Sequence, residues 1–268
     1  MRLVLVLLTS AMVVASASAS PGGTPGSSRM EMFKGVFDTS CSYSHTLRDD
    51  PLLHQGHPGA SHVHDFFGNR TTDARSTGKT LVAAARADPT KTSCKDELDR
   101  SAYWAPALYE DGLPLRPEGV HVYYRHHADL RARPFPLGFG MVTHKHFWWC
   151  GPGTGRFEDG TVPACPGRLL VILTFPACWD GERRFARDGS HVVHGRRHCP
   201  ETHPVYLPRL TMFLSYRVDG QRHSYRLASG PPRTAHADFL NAWEPARLAH
   251  LVDTCLNLGP KYCERKRR

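Results

Sequence analysis

Eight cysteines constrain the fold of this chain more than any other feature of its sequence. Their number is even and no two form a C-x-x-C pair, so disulfide bonds are a better interpretation than a thiolate metal site. They are Cys41, Cys94, Cys150, Cys165, Cys178, Cys199, Cys255 and Cys263. Sequence alone leaves many pairings open, and short loops favour Cys150 with Cys165, Cys178 with Cys199 and Cys255 with Cys263, leaving Cys41 with Cys94.

The N-terminus predicts export. A basic start at Arg2 is followed by an apolar stretch from Leu3 to Val14 and then by small residues with an A-x-A cleavage site. We therefore expect residues 1–19 to be a signal peptide and residues 20–29, rich in Pro, Gly, Ser and Thr, to be a flexible leader. No later stretch is apolar enough to cross a membrane, so the predicted location is extracellular, where disulfides persist.

Residues 30–263 contain neither an internal linker nor a repeat, and we expect them to form a single domain followed by a basic tail at 264–268. The chain has 34 Lys and Arg against 25 Asp and Glu, a net charge of +9. Such a surface attracts polyanions, and for an exported protein the candidates are acidic cell-wall polymers, acidic glycans or anionic lipid surfaces. No nucleic-acid-binding module is recognisable, so nucleic acid is not the expected partner.

Short strand-like segments dominate, and 21 Pro and 23 Gly argue against long helices. The predicted fold is mainly β, an antiparallel β-sandwich or distorted jelly roll with long disulfide-tied loops and one C-terminal helix. Strands are expected at Val120–Tyr124, Leu169–Phe175, Val205–Leu207 and Leu210–Val218, a hairpin over Leu210–Leu227, a C-terminal helix within Ala237–Cys255 and a short helix over Ser76–Ala84.

The 17 histidines are unusually many, and two groups of them alternate with other functional side chains. His62 and His64 share one face of an extended segment, and His236 alternates with Asp238 in the same way. A histidine beside a carboxylate forms an acid/base pair near neutral pH. The predicted catalytic residues are His64, Asp65, His236 and Asp238. The carboxylates of Asp65 and Asp238, which come from different loops, would also suit glycosidic cleavage.

Flat aromatic rings and further polar groups near these motifs suit sugar binding. The predicted substrate-binding residues are His62, Tyr103, Trp179, Asp180, His203 and Trp243. No cofactor motif and no H-E-x-x-H signature is present. A bound metal ion remains an alternative, with His62, His64 and His203 as its expected ligands. The other histidines, including His144 and His146, are assigned to structural or surface positions.

Seven motifs spread over most of the chain resemble the secreted DUF1996 family, a domain of unknown function found in filamentous fungi and actinobacteria. The motifs are CSYSH with DDP (41–51), GASHVHDFFGN (59–69), SAYWAPALYEDG (101–112), FPACWDG (175–181), SHVV (190–193), HPVYLP (203–208) and HADFLNAW (236–243). The resemblance implies one full-length exported domain and names no reaction. The loop 182–189 departs from the family's acidic sequence, so the resemblance does not support a catalytic carboxylate role for Asp180 or Asp188.

Taken together, these patterns predict a secreted protein that acts on extracellular or cell-wall polysaccharide, as a glycoside hydrolase or a lyase with a His/Asp acid/base site. Two other classes use the same residues. One is a non-catalytic glycan-binding or cell-surface module, and the other is a histidine-rich envelope protein that binds a metal.

Overall fold

The computed structural model describes residues 35–127, 129–195, 197–259 and 263. The predicted signal peptide, leader and basic tail lie outside these residues. The fold is mainly β, with strands β1 (Gly35–Leu47), β2 (His64–Gly68), β3 (Ala102–Pro106), β4 (Leu108–Glu110), β5 (Leu113–Leu115), β6 (Pro117–His126), β7 (Gly140–Thr143), β8 (His146–Trp149), β9 (Arg168–Thr174), β10 (Cys178–Trp179), β11 (Val192–Val193), β12 (Val205–Tyr206), β13 (Arg209–Arg217), β14 (Tyr225–Leu227) and β15 (Ala237–Leu240).

Two α-helices accompany the strands. Helix α1 spans Gly78–Ala87, and its first turn is capped by Thr77, whose hydroxyl accepts a hydrogen bond from the Thr80 amide. Helix α2 spans Pro245–Leu251 and continues as a π-helical segment over Val252–Asn257. Single 3₁₀ turns occur at Pro89–Lys91 and Pro232–Thr234.

Nine strands form one antiparallel sheet in the order β7-β15-β3-β2-β1-β6-β13-β9-β8. Strand β1 is long enough to serve both halves of this sheet, because its residues 35–42 pair with β6 and its residues 43–47 pair with β2. The two halves pack against each other: the hydroxyls of Tyr103 on β3 and Tyr124 on β6 lie 2.6 Å apart, and Tyr103 shares one buried apolar cluster with Val122 and Met212. The prediction of a mainly β, antiparallel fold with one C-terminal helix is confirmed.

The β2–β3–β15 part of the sheet is buried on both faces. Phe67, Tyr103 and Phe239 point into the main core between the two halves. Phe66 and Trp104 point the other way and pack in a second apolar cluster that includes Leu81 and Val82 of α1. This second face, partly covered by α1, is the face that carries the candidate site.

All four disulfides predicted from loop length are present among the described residues: Cys41–Cys94, Cys150–Cys165, Cys178–Cys199 and Cys255–Cys263. Three of these bonds join a loop to a regular element, because Cys41, Cys178 and Cys255 lie in β1, β10 and the π-helical segment while their partners lie outside the named elements.

Strand β2 ends at Gly68, where only glycine fits. Its φ of +81° is unfavourable for other residues, and a Cβ atom there would lie 2.3 Å from the carbonyl oxygen of Ser101. The next residue, Asn69, is fully buried, and its amide donates to the carbonyl oxygens of Leu81 and Arg100. Asn69 therefore ties β2 to α1.

One predicted element is wrong. The segment Leu210–Leu227 is not a hairpin, because β13 pairs with β6 and β9 while β14 pairs with β4 in a separate three-stranded sheet. The helix predicted within Ala237–Cys255 is present as α2, with Pro245 in its first turn, and the residues before it form strand β15. Phe239 and Leu240 point to opposite buried faces in that strand, a pattern that helical spacing of apolar residues conceals.

Candidate functional site

The sheet register places two of the predicted histidines side by side. Phe66 of β2 and Asp238 of β15 both lie opposite Trp104 of β3, the strand between them. His64 and His236 each precede one of these residues by two positions, so both lie on the same face as the second apolar cluster. Their ring centroids are 5.7 Å apart.

His62 completes a three-histidine cluster from the loop that leads into β2. Its ring centroid lies 4.2 Å from that of His64 and 5.1 Å from that of His236. One ring nitrogen of each of the three histidines lies within 4.8 Å of one from each of the others. His64 and His236 are buried and His62 is partly buried. We call these three residues the histidine cluster.

Two buried aspartates hold the loop that carries His62. The carboxylate of Asp49 accepts hydrogen bonds from the amides of Gly59, at 2.8 Å, and Ala74, at 3.0 Å. Asp50 accepts from the amides of Leu52 and Leu53 through one oxygen. These bonds explain the D-D-P motif physically, because they fix a loop with little regular structure against the sheet.

Hydrogen bonds fix the tautomer of two of the three histidines. Nδ1 of His64 lies 3.0 Å from the carbonyl oxygen of Asp49, and Nδ1 of His236 lies 3.0 Å from that of Thr234. A carbonyl oxygen only accepts, so each Nδ1 carries the hydrogen and each neutral ring keeps a lone pair on Nε2. The Nε2 atoms of His62 and His64 are buried and have no hydrogen-bond partner among the described residues.

The surroundings favour neutral imidazoles. Burial lowers the pKa of His64 well below its ordinary value, with the neighbouring His62 and His236 adding to the effect. Burial also lowers the pKa of His236 to about 4 and lowers that of His62. Neutral rings with free Nε2 lone pairs are the form in which histidine binds a metal ion.

Asp238 brings an unpartnered carboxylate to the cluster. It is fully buried, and neither oxygen has a hydrogen-bond partner among the described residues. Its Oδ2 lies 4.0 Å from Nε2 of His236, and burial raises its pKa well above the ordinary value. The indole N–H of Trp104, the residue opposite, is likewise buried without a partner. Burying a polar group without a hydrogen-bond partner destabilises the fold unless a bound species interacts with that group.

Two further histidines border the cluster, although the sequence prediction assigned both to structural or surface positions. The ring centroid of His144 lies 5.4 Å from that of His236. His146 donates its Nδ1 hydrogen to the His144 carbonyl oxygen, and its Nε2 is buried without a partner. The signal that could have identified them is the repeated H-x-H spacing, which 144–146 shares with 62–64.

Asp65 does not belong to the cluster, because alternation along β2 turns it to the opposite face. There the Thr46 hydroxyl donates to it, and burial raises its pKa to about 6. Tyr103 and Trp243 also lie in the main core. The Trp243 indole N–H donates to the Tyr124 hydroxyl at 2.9 Å, and the Tyr103 hydroxyl donates to Asp99 at 2.8 Å. Asp65 and Asp238 therefore do not face one substrate.

Three other predicted residues lie at the small sheet β11-β10-β12. The Trp179 indole N–H donates to the Arg183 carbonyl oxygen, and Asp180 accepts from the Arg183 guanidinium at 2.8 Å. His203 is bonded through its two ring nitrogens to the Thr202 hydroxyl and the Ser190 carbonyl oxygen. His203 is not among the histidines of the cluster. The third histidine is His236, whereas the sequence analysis predicted His203 as the third metal ligand.

The fold and the cluster together define a disulfide-linked antiparallel β protein with a buried three-histidine centre. The chain belongs to the DUF1996 family, described as a domain of unknown function, whose model matches residues 50–243. That range contains the whole histidine cluster and Asp238. No curated protein and no solved structure matches the chain. Within the described residues, no helix is both long enough and apolar enough to span a membrane.

Proposed function

We propose that this chain is a secreted metalloprotein that holds one divalent transition-metal ion on His62, His64 and His236. The observation that carries the proposal is the convergence of three imidazole nitrogens within 4.8 Å of one another beside a buried carboxylate. The signal-peptide pattern and the four disulfides support an extracellular location.

The ligand chemistry fits this assignment. Metal-binding histidines commonly donate their second ring N–H to a carbonyl or carboxylate, which fixes the ring and increases its basicity. His64 and His236 do so through Asp49 and Thr234. Nitrogens bound to one ion at about 2.1 Å stand closer together than 4.8 Å. His62, the least buried of the three rings, would have to move towards the other two to complete the ligand set.

Asp238 supplies the negative charge that a cation at this site requires. An ionised carboxylate without a partner is costly in a buried position, and a nearby divalent cation offsets that cost. Three neutral imidazoles and one nearby carboxylate suit Zn²⁺ or Cu²⁺, whereas Ca²⁺ and Mg²⁺ prefer sets of oxygen ligands.

The reaction that we propose for this centre is hydrolytic or lyase-type cleavage of an extracellular polysaccharide. Three protein ligands leave a coordination position for water or substrate, and such an ion acts as a Lewis acid. A metal-binding protein without turnover is the second candidate, favoured by the nearly complete burial of His64 and Asp238.

The first experiment measures metal binding by the oxidised, mature protein, using calorimetry and elemental analysis after dialysis against Zn²⁺, Cu²⁺ or Ca²⁺. We expect one Zn²⁺ or Cu²⁺ per chain and no retained Ca²⁺. The variants His64→Asn and His236→Asn should lose the ion and remain folded, because an asparagine amide can still donate to the carbonyl oxygen that each Nδ1 now contacts.

Two matched controls accompany these variants. His57 lies exposed in the same loop as His62, and His203 lies at the small sheet, so His57→Asn and His203→Asn should both retain the ion. Retention of the metal ion by His64→Asn, or loss of the ion from His203→Asn, would contradict the proposed ligand set. A wild-type protein that keeps no ion at neutral pH would exclude the proposed function.

Turnover is tested by incubating the loaded protein with neutral and acidic polysaccharides while following new reducing ends and unsaturated products. Cleavage that a chelator abolishes and Zn²⁺ or Cu²⁺ restores would support a metal-dependent enzyme. Cleavage that persists in the chelated protein would instead assign it to acid/base groups alone. Metal binding without cleavage would leave the second candidate.

A further inference from the structure

A second candidate site lies on the half of the sheet formed by β1, β6, β13 and β9. It is on the face of these strands that points away from the main core. This face forms an open concavity of about 470 Å³, within the range of small-ligand sites. None of the cluster's histidines lines it. Serine hydroxyls, two aromatic rings and several charged groups line the concavity, among them Ser40, Lys95, His121, Tyr123, Arg168 and Phe213.

One wall of the concavity is fixed before any ligand binds. The segment that ends in Lys95 lies beside β1, where the Lys95 amide donates to the Ser40 carbonyl oxygen at 2.9 Å. The Cys41–Cys94 disulfide joins the same two segments covalently. A preformed wall reduces the ordering cost of binding.

The charged groups leave this surface positive. Glu118 is paired with both Arg168, at 3.2 Å, and Arg217, at 2.8 Å, so two guanidinium groups face one carboxylate. Lys95 is exposed and makes no ion pair with the described residues. Asp38 does not line the concavity, and its carboxylate contacts His121 at 2.6 Å. The concavity therefore has a positive rim formed by Lys95 and Arg168.

The interior combines rings with hydroxyls. His121 stacks on Tyr123 at 4.4 Å, and the Arg125 guanidinium lies 4.5 Å from the centroid of the Tyr123 ring. Phe213 packs edge-on against Tyr123 at 5.0 Å and adds an apolar surface. Hydroxyl donors, partly exposed rings and cations are the groups that a charged sugar chain can contact at once.

We propose that this concavity binds an anionic polysaccharide, a chain whose sugars carry carboxylates. Lys95 and Arg168 contact the carboxylates, and the serine and tyrosine hydroxyls contact the sugar hydroxyls. The site goes beyond the proposed metal centre and operates without it, because it shares no residue with the histidine cluster. It retains a polymer on the protein surface whether or not the polymer is also cleaved.

The test is binding of the oxidised, mature protein to immobilised polygalacturonate, followed by biolayer interferometry in chelator-containing buffer. We expect binding that weakens as salt increases, because exposed charges are screened. Neutral galactan should bind much more weakly. The double variant K95Q/R168Q should lose affinity by about tenfold or more, because it removes both cations of the positive rim.

The control is K79Q/R187Q, which removes two exposed positive charges elsewhere on the surface. We expect it to bind polygalacturonate within about twofold of the wild type, since it keeps the concavity and changes only the net charge. Melting temperatures measured beside the binding curves establish that both variants are folded.

Equal losses in the two double variants would overturn the proposal, because they would indicate attraction to net charge alone. Failure of the wild type to bind polygalacturonate, or equally tight binding to neutral galactan or to duplex DNA, would also overturn it. Because chelator is present throughout, these outcomes do not depend on the metal centre.

Discussion

Replacing Asp238 by asparagine separates two effects of this carboxylate, its attraction for a bound cation and its cost to the metal-free fold. Asparagine has nearly the same shape and no charge. A cation bound to Nε2 of His236 would lie near the Asp238 carboxylate, because Oδ2 is 4.0 Å from that nitrogen. At a separation of about 4 Å, a unit charge pair is worth about 4 kcal/mol at an effective dielectric constant of about 20. Compensating solvation reduces the measurable part, and residues next to metal ligands typically change affinity by about 10–100-fold. We expect D238N to weaken Zn²⁺ or Cu²⁺ binding by at least tenfold.

The effect of Asp238 on the metal-free protein has the opposite sign. Because burial raises its pKa, the folded chain binds this proton more tightly than the unfolded chain does. Stability from this group is therefore present at low pH and is lost as pH rises above the ordinary carboxyl pKa, by up to about 1.4 kcal/mol per pH unit until the folded-state pKa is reached. D238N removes that loss, so the metal-free variant should be more stable than the wild type at pH 7.

The assay combines calorimetric titration with metal and denaturant unfolding of the chelated protein between pH 4 and pH 8. Asp180→Asn is a suitable control, because this carboxylate lies at the small sheet and is bonded to Arg183. Unchanged metal affinity in D238N would refute the electrostatic role of Asp238. Lower stability of the metal-free variant at pH 7 would refute the inference that the buried carboxylate is unpartnered.

Two further predictions concern the buried hydrogen bonds between the halves of the sheet. Tyr124→Phe removes the hydroxyl that accepts a hydrogen bond from the indole N–H of Trp243. Because that N–H is then buried without a partner, we expect a loss of about 1–3 kcal/mol in unfolding free energy. Tyr123→Phe, on the opposite face of β6, is the control, and equal losses in denaturant unfolding would contradict the assignment. Burial raises the pKa of Asp99 to about 7, so its contribution to stability is lost as pH rises from about 4 towards 7. Asp99→Asn should therefore reduce the fall of unfolding free energy with pH in this range by the amount that one proton contributes. An unchanged pH dependence of the unfolding free energy in the variant would contradict this prediction.

Local patterns were sufficient for several elements. Short strand-like segments located β6, β9 and β13, and the segment Ser76–Ala84 located α1. The disulfide pairs followed from loop length. These features depend on residues close in sequence or on simple counting, so tertiary context had little to change.

The site was harder to predict because its members come from separate segments. The sequence identified His62, His64, His236 and Asp238 as functional candidates, and the sheet register brings these four residues together. It also selected Asp65, whose side chain the same strand turns to the other face. Nothing local distinguishes Asp65 from Asp238, since both stand next to aromatic residues in buried strands.

The sequence by itself determined the disulfide-linked β class and the family to which the chain belongs, and it predicts export, because each of these is written in composition, spacing or contiguous motifs. Only the tertiary structure decided which histidines meet, since β3 must lie between β2 and β15 for His64 and His236 to share a face. It also decided that His236, rather than His203, accompanies His62 and His64. Contacts between residues far apart in the chain depend on strand order and register, which no single segment specifies.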